Sequence, residues 1–235
     1  MSIPVIHGII DRRILINYSI DPVVAAKLIP SPFRIKVYNG AAIGGICLIR
    51  LKHIKPKYIP GTFGISSENA AHRFAVEWDE NGKVKEGVYI LRRDTSSLMN
   101  SFAGGRLFPR KHYYSRFDVN ENNGLFSIAF TNKDKTCISV KSNEKDEFYS
   151  ESLFSSLEDA SCFFQKGAAG YSPGNGKHDG LMLNTYKWKV SALEVKEVQS
   201  SFFDDKAIFP QGSISFDNGL LMRNIEHEWI SLKSK

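Results

Sequence analysis

Apolar residues along the chain recur in short alternating or continuous runs separated by compact polar turns, the signature of strands. Ile14 to Ile20 is one such run. Asp21-Pro22 follows it and predicts a helix start, since aspartate accepts from the orphan amides and proline suits the first helical position. That helix is expected to reach about Ile29 and to stop at Pro30-Ser31-Pro32. Phe33 to Tyr38 and Ala41 to Leu51 read as strands joined by Asn39-Gly40, a two-residue hairpin signal. His72 to Trp78, the turn Asp79-Glu80-Asn81-Gly82, and Val84 to Arg92 predict a second hairpin.

Thr95 to Phe102 reads as a short helix with Leu98, Met99 and Phe102 on one face, interrupted at Gly104-Gly105. An antiparallel meander is predicted next: Tyr113 to Val119, Leu125 to Phe130 after an Asn-rich turn, and Thr136 to Lys141. Ser155 and Glu158 have capping-box spacing ahead of another short helix carrying Ala160, Cys162, Phe163 and Phe164. Gly167 to Gly180 reads only as a loop. Tyr186 to Val198 reads as a long strand whose apolar phase changes near Ala192, as at a bulge. With no repeat, linker or composition break, one domain over residues 1–235 is expected.

Composition supports a folded chain. Of 235 residues, 42% are hydrophobic and 24% charged, close to globular averages. The formal charge of +6 raises the question of an acidic partner, but the cations are scattered and no common nucleic-acid-binding motif is present. The densest run, Lys52 to Lys57, is interleaved with His53, Ile54 and Pro56 and reads as a solvated edge. Cys47, Cys137 and Cys162 form no paired framework, which suits a reducing compartment. No signal-peptide pattern and no membrane-length apolar stretch is read, so the expectation is a cytoplasmic protein with a small-molecule ligand, no nucleic-acid partner and no membrane, homo-oligomerisation being left open.

Several chemistries find no support. The Gly170 to Lys177 segment has phosphate-loop spacing one residue too long, and His178 stands where Ser or Thr would bind magnesium. The six histidines are dispersed without zinc-ligand spacing, and no G-x-S-x-G elbow occurs. No metal and no cofactor is expected. The densest chemistry lies in Gly105 to Val119, GRLFPRKHYYSRFDV, with a glycine pair, a proline, adjacent cations and aromatics.

DPVVAAKLIPSPF, from Asp21 to Phe33, and Pro109-Arg110-Lys111 followed by Tyr114, Arg116 and Val119 resemble the acetoacetate decarboxylase family pattern. The wording from Arg12-Arg13-Ile14-Leu15-Ile16-Asn17-Tyr18 through Tyr113-Tyr114-Ser115-Arg116-Phe117 is closer still to the YqjF-like uncharacterised proteins of that superfamily, and Trp188 in a late strand also fits. The resemblance covers roughly residues 11 to 198. It implies an α+β, β-rich fold: a closed or nearly closed antiparallel β structure around a small-molecule cavity, with a few short flanking helices. It also implies cavity roles for an arginine near the first strand, here Arg12 or Arg13, and for a glutamate, here Glu68. A second family glutamate has no counterpart near Ile46.

The family's Pro-Lys-Lys stretch implies an imine-forming first lysine activated by its neighbour. Arg110 and Lys111 stand at the matching positions. Arginine stays protonated and offers no lone pair for an imine, so standard acetoacetate decarboxylation is not expected. Lys111 turns inward only if a bulge shifts the register. The YqjF-like alignment instead places His112 and Tyr113 at the pair. The resemblance thus implies a pocket for a small carboxylate- or carbonyl-bearing metabolite. Arg12 or Arg13 with Arg110 would bind anionic oxygen, His112 and Tyr113 would line the site, and Glu68 would orient the ligand or move a proton. Two alternatives stand beside it: a Lys111-dependent imine enzyme, with Glu68 as its other catalytic group, and a noncatalytic module with a basic face. A plainer outcome is that these charges pair with one another.

Overall fold

A computed structural model describes residues 4–58, 64–98, 112–174 and 177–235. Its elements are β1 (Ile6–Ile20), α1 (Pro22–Ala26), β2 (Arg34–Ile35), β3 (Val37–Tyr38), β4 (Ala41–Pro56), β5 (Ile65–Glu80), β6 (Lys83–Thr95), β7 (Tyr113–Tyr114) and β8 (Arg116–Asn122). They continue with β9 (Leu125–Thr131), β10 (Cys137–Lys145), α2 (Leu157–Lys166), β11 (Ala169–Pro173), β12 (His178–Thr185), β13 (Ser191–Ser200) and β14 (Ile214–Leu232). The predicted β-rich fold with few short helices is what forms.

The strands run in the order β1-β4-β5-β6-β11-β12-β14, and β14 pairs back to β1 along most of its length. This makes a nearly closed ring. Its weakest seam is β6 against β11, a parallel contact of two residue pairs, Gly170 with Val88 and Tyr171 with Tyr89. Every other ring pairing is antiparallel. From β14 the sheet also branches through β13 to β10, β9 and β8, an outer layer over the ring.

Strand alternation gives each ring strand two destinations. Ile14, Ile16, Ile46, Leu48, Phe74 and Val76 join Phe126, Ile128, Phe130, Ile138 and Val140 of the outer layer in the main core. Leu15, Ile43, Cys47, Ala75 and Leu220 face the other way and pack with Phe154 and with Ala160, Phe163 and Phe164 of α2. Closing two cores on one sheet is what lets strands of 13 to 19 residues stay buried on both faces.

Local signals explain the corners. Asn39-Gly40 and Asn81-Gly82 both take positive φ (47° and 83°, 52° and 72°), as a two-residue hairpin with inverted turn geometry requires. Asp21 caps α1 by accepting from the Val23 amide at 2.7 Å, with Pro22 at the first helical position.

Five expectations are corrected. α1 ends at Ala26 and not near Ile29: Lys27, Leu28 and Ile29 bond back three residues in tight turns ahead of the prolines. The cap of α2 is Ser156, accepting from the Asp159 amide, one residue later than the Ser155/Glu158 pair; Asp159 reaches back to the Ser155 amide at 3.0 Å. Gly167 to Gly180 is no loop but contains β11 and the start of β12; at Gly180 a Cβ would sit 2.5 Å from the Tyr171 ring, so this glycine marks close strand approach. Residues 186–190 lie outside a strand, Trp188 with them, and the irregularity of β13 falls between Val195 and Glu197 and not at Ala192. Thr95 ends β6 and the helix predicted from it starts later, the chain being helical at Leu98; residues 99–102 of that predicted helix lie outside the described residues.

Candidate functional site

Arg12 and Arg13 are adjacent on β1 and therefore point to opposite faces of the ring wall. Arg12 pairs in register with Arg50 of β4, which pairs with Glu68 of β5, so the three side chains stand in one row. Arg12 is fully buried; its Nη2 donates to Glu68 Oε2 at 2.6 Å and its Nη1 donates to Glu121 of β8. Arg50 donates through Nε to Glu68 at 2.5 Å and lies 2.9 Å from Glu121 through Nη2. Asp11 extends the group to Lys52 at 2.7 Å and Arg50 at 3.5 Å. Burial pushes the Asp11 carboxyl up, but Lys52 and Arg50 outweigh it and hold it below the usual range. For Arg12, burial pulls the guanidinium down, with Glu68 opposing. This seam of alternating charge fastens the outer layer to the ring.

The other face borders a cavity of about 130 Å³. It is lined from β1, β4, β5, β6, β12 and β14, so it lies inside the ring. One ordered water needs roughly 10–15 Å³ on this scale, so the space suits a small metabolite. Ile49, Leu51, Ile90, Leu181, Leu183 and Trp229 make its walls predominantly apolar. Arg13, Arg73 and Arg93 are also among its lining residues.

Their pairing is unequal. Arg93 donates to Ser172 Oγ through Nε at 3.2 Å and Nη2 at 3.1 Å. Arg73, only 2% exposed, donates from Nη2 to Asn17 Oδ1 at 2.5 Å and lies 4.9 Å from the Phe164 ring centre. Its Nε and Nη1 are buried without a hydrogen-bond partner, as is Nε of Arg13. No carboxylate among the described residues pairs with either. Burial pulls the Arg73 guanidinium down to about 10, with Cys47 opposing and Arg13 adding to the fall. Asp94 also lines the cavity, but its oxygens are taken by Arg92 at 2.8 and 2.9 Å, Ser115 at 2.8 Å and Asn132 at 3.3 Å.

The sequence-predicted residues thus divide. Arg13 and His112 line the cavity, whereas Arg12 and Glu68 belong to the charged seam. Tyr113 sits beside the cavity, its ring centre 4.1 Å from the Arg92 guanidinium. Arg110 and Lys111 lie outside the described residues. Sequence reasoning missed Arg73 and Cys47. The available signal was a cation inside the apolar run Arg73-Phe74-Ala75-Val76, where a strand buried on both faces leaves no solvated side.

Among the described residues no three His, Cys, Asp or Glu side chains converge as metal ligands, and no helix is long and apolar enough to cross a membrane.

Solved structures share this architecture. Acetoacetate decarboxylase from Legionella pneumophila aligns with a TM-score of 0.61 at 10% identity, over 99% of this chain and 88% of that one. An acetoacetate decarboxylase-like enzyme from Sphingomonas wittichii aligns at 0.58 and 8%, over 99% and 94%. The enduracididine biosynthesis enzyme MppR, solved in complex with pyruvate, aligns at 0.54 and 10%, over 100% and 91%. At these identities the likeness is one of fold. No curated protein matches the sequence. The model of the DUF2071 family, described as an uncharacterized conserved protein, matches residues 10–215, and the chain belongs to that family.

Proposed function

We propose that the ring cavity binds a small carbonyl-bearing carboxylate, with Arg13 and Arg73 taking the anionic oxygens, and that the chain does so without the imine chemistry of acetoacetate decarboxylases. The observation that carries the reading is that two arginines with no carboxylate partner among the described residues, Arg13 and Arg73, line one predominantly apolar cavity. A buried cation without a counter-ion is strongly disfavoured, and a planar guanidinium suits a carboxylate in particular. A ligand carboxylate supplies what the protein lacks. That MppR was solved with pyruvate supports a 2-oxo acid as the first class to try.

The claim about imine chemistry rests on residue type. Arg110 stands at the position matching the nucleophilic lysine, and no lysine is among the described residues lining the cavity. Calorimetry with pyruvate and with its neutral methyl ester tests binding. Pyruvate is expected to bind at least about tenfold more tightly, a difference of about 1.4 kcal/mol. Arg73→Gln should erase the difference; equal affinities in the unaltered protein would sink the reading. Borohydride treatment in acetoacetate should leave the intact mass unchanged. An adduct lost in Lys111→Ala would replace this reading with a Lys111-dependent imine enzyme.

A further inference from the structure

Cys47 stands in strand register between Arg13 and Arg73, neither of which pairs with a carboxylate among the described residues. On β4 it lies opposite Leu15 of β1 and Ala71 of β5. Two positions along the strand in one direction, Ile49 is opposite Arg13; two positions in the other, Gly45 is opposite Arg73. Residues two apart share a face, and such diagonal neighbours lie within reach of long side chains. Arg13, Cys47 and Arg73 accordingly line the same cavity, and the thiol is free and 8% exposed. The second observation pointing to a ligand is Arg73 itself, 2% exposed and with Nε and Nη1 unpartnered.

We propose that Cys47 is a nucleophile that adds reversibly to the carbonyl carbon of a 2-oxo acid whose carboxylate is held by Arg13 and Arg73. This rests on the carboxylate reading above and adds to it a covalent step. In a 2-oxo acid the carbonyl carbon is bonded directly to the carboxylate carbon, so an anion held by both arginines presents its electrophilic carbon beside the sulfur. A C–S bond forms, the carbonyl π pair moves onto oxygen, and the thiol proton ends on that oxygen. The product is a hemithioketal. No electrons enter or leave, and reversal regenerates thiol and ketone.

Two measurements test the step. Alkylation by iodoacetate and by iodoacetamide, followed site by site through peptide mass spectrometry, uses the exposed Cys137 and Cys162 as internal references. Relative to them, Cys47 should prefer the anionic reagent at least about tenfold, because its carboxylate binds at the guanidiniums and its electrophilic carbon then meets the sulfur. Arg73→Gln should abolish that preference. In calorimetry, Cys47→Ala should lower pyruvate affinity at least about tenfold while leaving propionate, which has no carbonyl, within about twofold. Absence of the iodoacetate preference, or equal weakening of both acids by Cys47→Ala, overturns the nucleophile. If the unaltered protein still binds both acids, the carboxylate reading survives that failure. If it binds neither, both fall.

Discussion

Arg12 and Arg13 are consecutive residues of one strand, yet they belong to opposite electrostatic worlds. On the outer side of the ring, Arg12 and Arg50 pair with the carboxylates of Glu68 and Glu121, although Arg12 Nε, like Arg13 Nε, has no hydrogen-bond partner. On the inner side, Arg13 and Arg73 line an apolar cavity, and no carboxylate among the described residues pairs with either. A buried charge cluster closed on itself maintains the fold, whereas buried cations without a counter-ion are strongly disfavoured, and it is on this difference that the proposed ligand site rests.

The largest expected effect comes from breaking the closed side. Glu68→Ala strips both Arg12 and Arg50 of a partner and should lower unfolding stability by about 3–5 kcal/mol, read as a shifted urea midpoint. Pyruvate affinity in the folded fraction should be unchanged. A loss below about 1 kcal/mol would mean that Glu121 alone satisfies the row.

Acid should weaken both sides through one histidine each. His72 packs against Phe202 and Phe203 in the outer core, and His227 lies 4.3 Å from the Trp229 ring on the cavity side. Burial pulls each down to about 4 from an ordinary 6.5. Between those values the unfolded rings bind protons that the folded rings refuse, so stability is full above about 6.5 and falls as pH drops toward 4. At about 1.4 kcal/mol per pH unit, the loss approaches roughly 3 kcal/mol for each ring. His72→Leu should flatten the stability-versus-pH curve by about half in that window; an unaltered curve would show that His72 is not the titrating group.

Opening the comparison from the inner side should have the reverse sign. Arg73→Met removes a buried, incompletely paired cation and should raise stability by about 1–2 kcal/mol while weakening pyruvate at least about tenfold. A destabilised Arg73→Met protein would make Arg73 a member of the structural framework, like Arg12. The smallest effect is expected for Arg13→Met, because Arg13 is partly exposed: stability within about 0.5 kcal/mol and a few-fold weaker pyruvate binding, by the same two assays.

Much of the fold was legible because its signals are local. Asn39-Gly40 and Asn81-Gly82 sit at the hairpins they predict, and Asp21-Pro22 opens the helix they predict. The β11 to β12 region was not legible. Its glycines read as breakers, whereas Gly180 is there to let Tyr171 and Leu232 come close, and only the neighbouring strands reveal that. The site was half legible: Arg13 and His112 line the cavity, but Arg73 sat unnoticed in a run read as strand core.

Periodicity, turn residues and the mild composition determined that this chain is β-rich, where its hairpins turn, and which superfamily pattern it resembles. They also placed an arginine pair on the first strand. Which arginine faces the cavity was decided by the tertiary structure alone. Along β1 the pairing register shifts between Ile10 and Arg12, and a one-residue shift exchanges the two faces of a strand. Closure of the ring then gave those faces different meanings. The outer one received Glu68 and Glu121 from strands far away in sequence, and the inner one brought Arg13, Cys47 and Arg73 together around a space that no local pattern records.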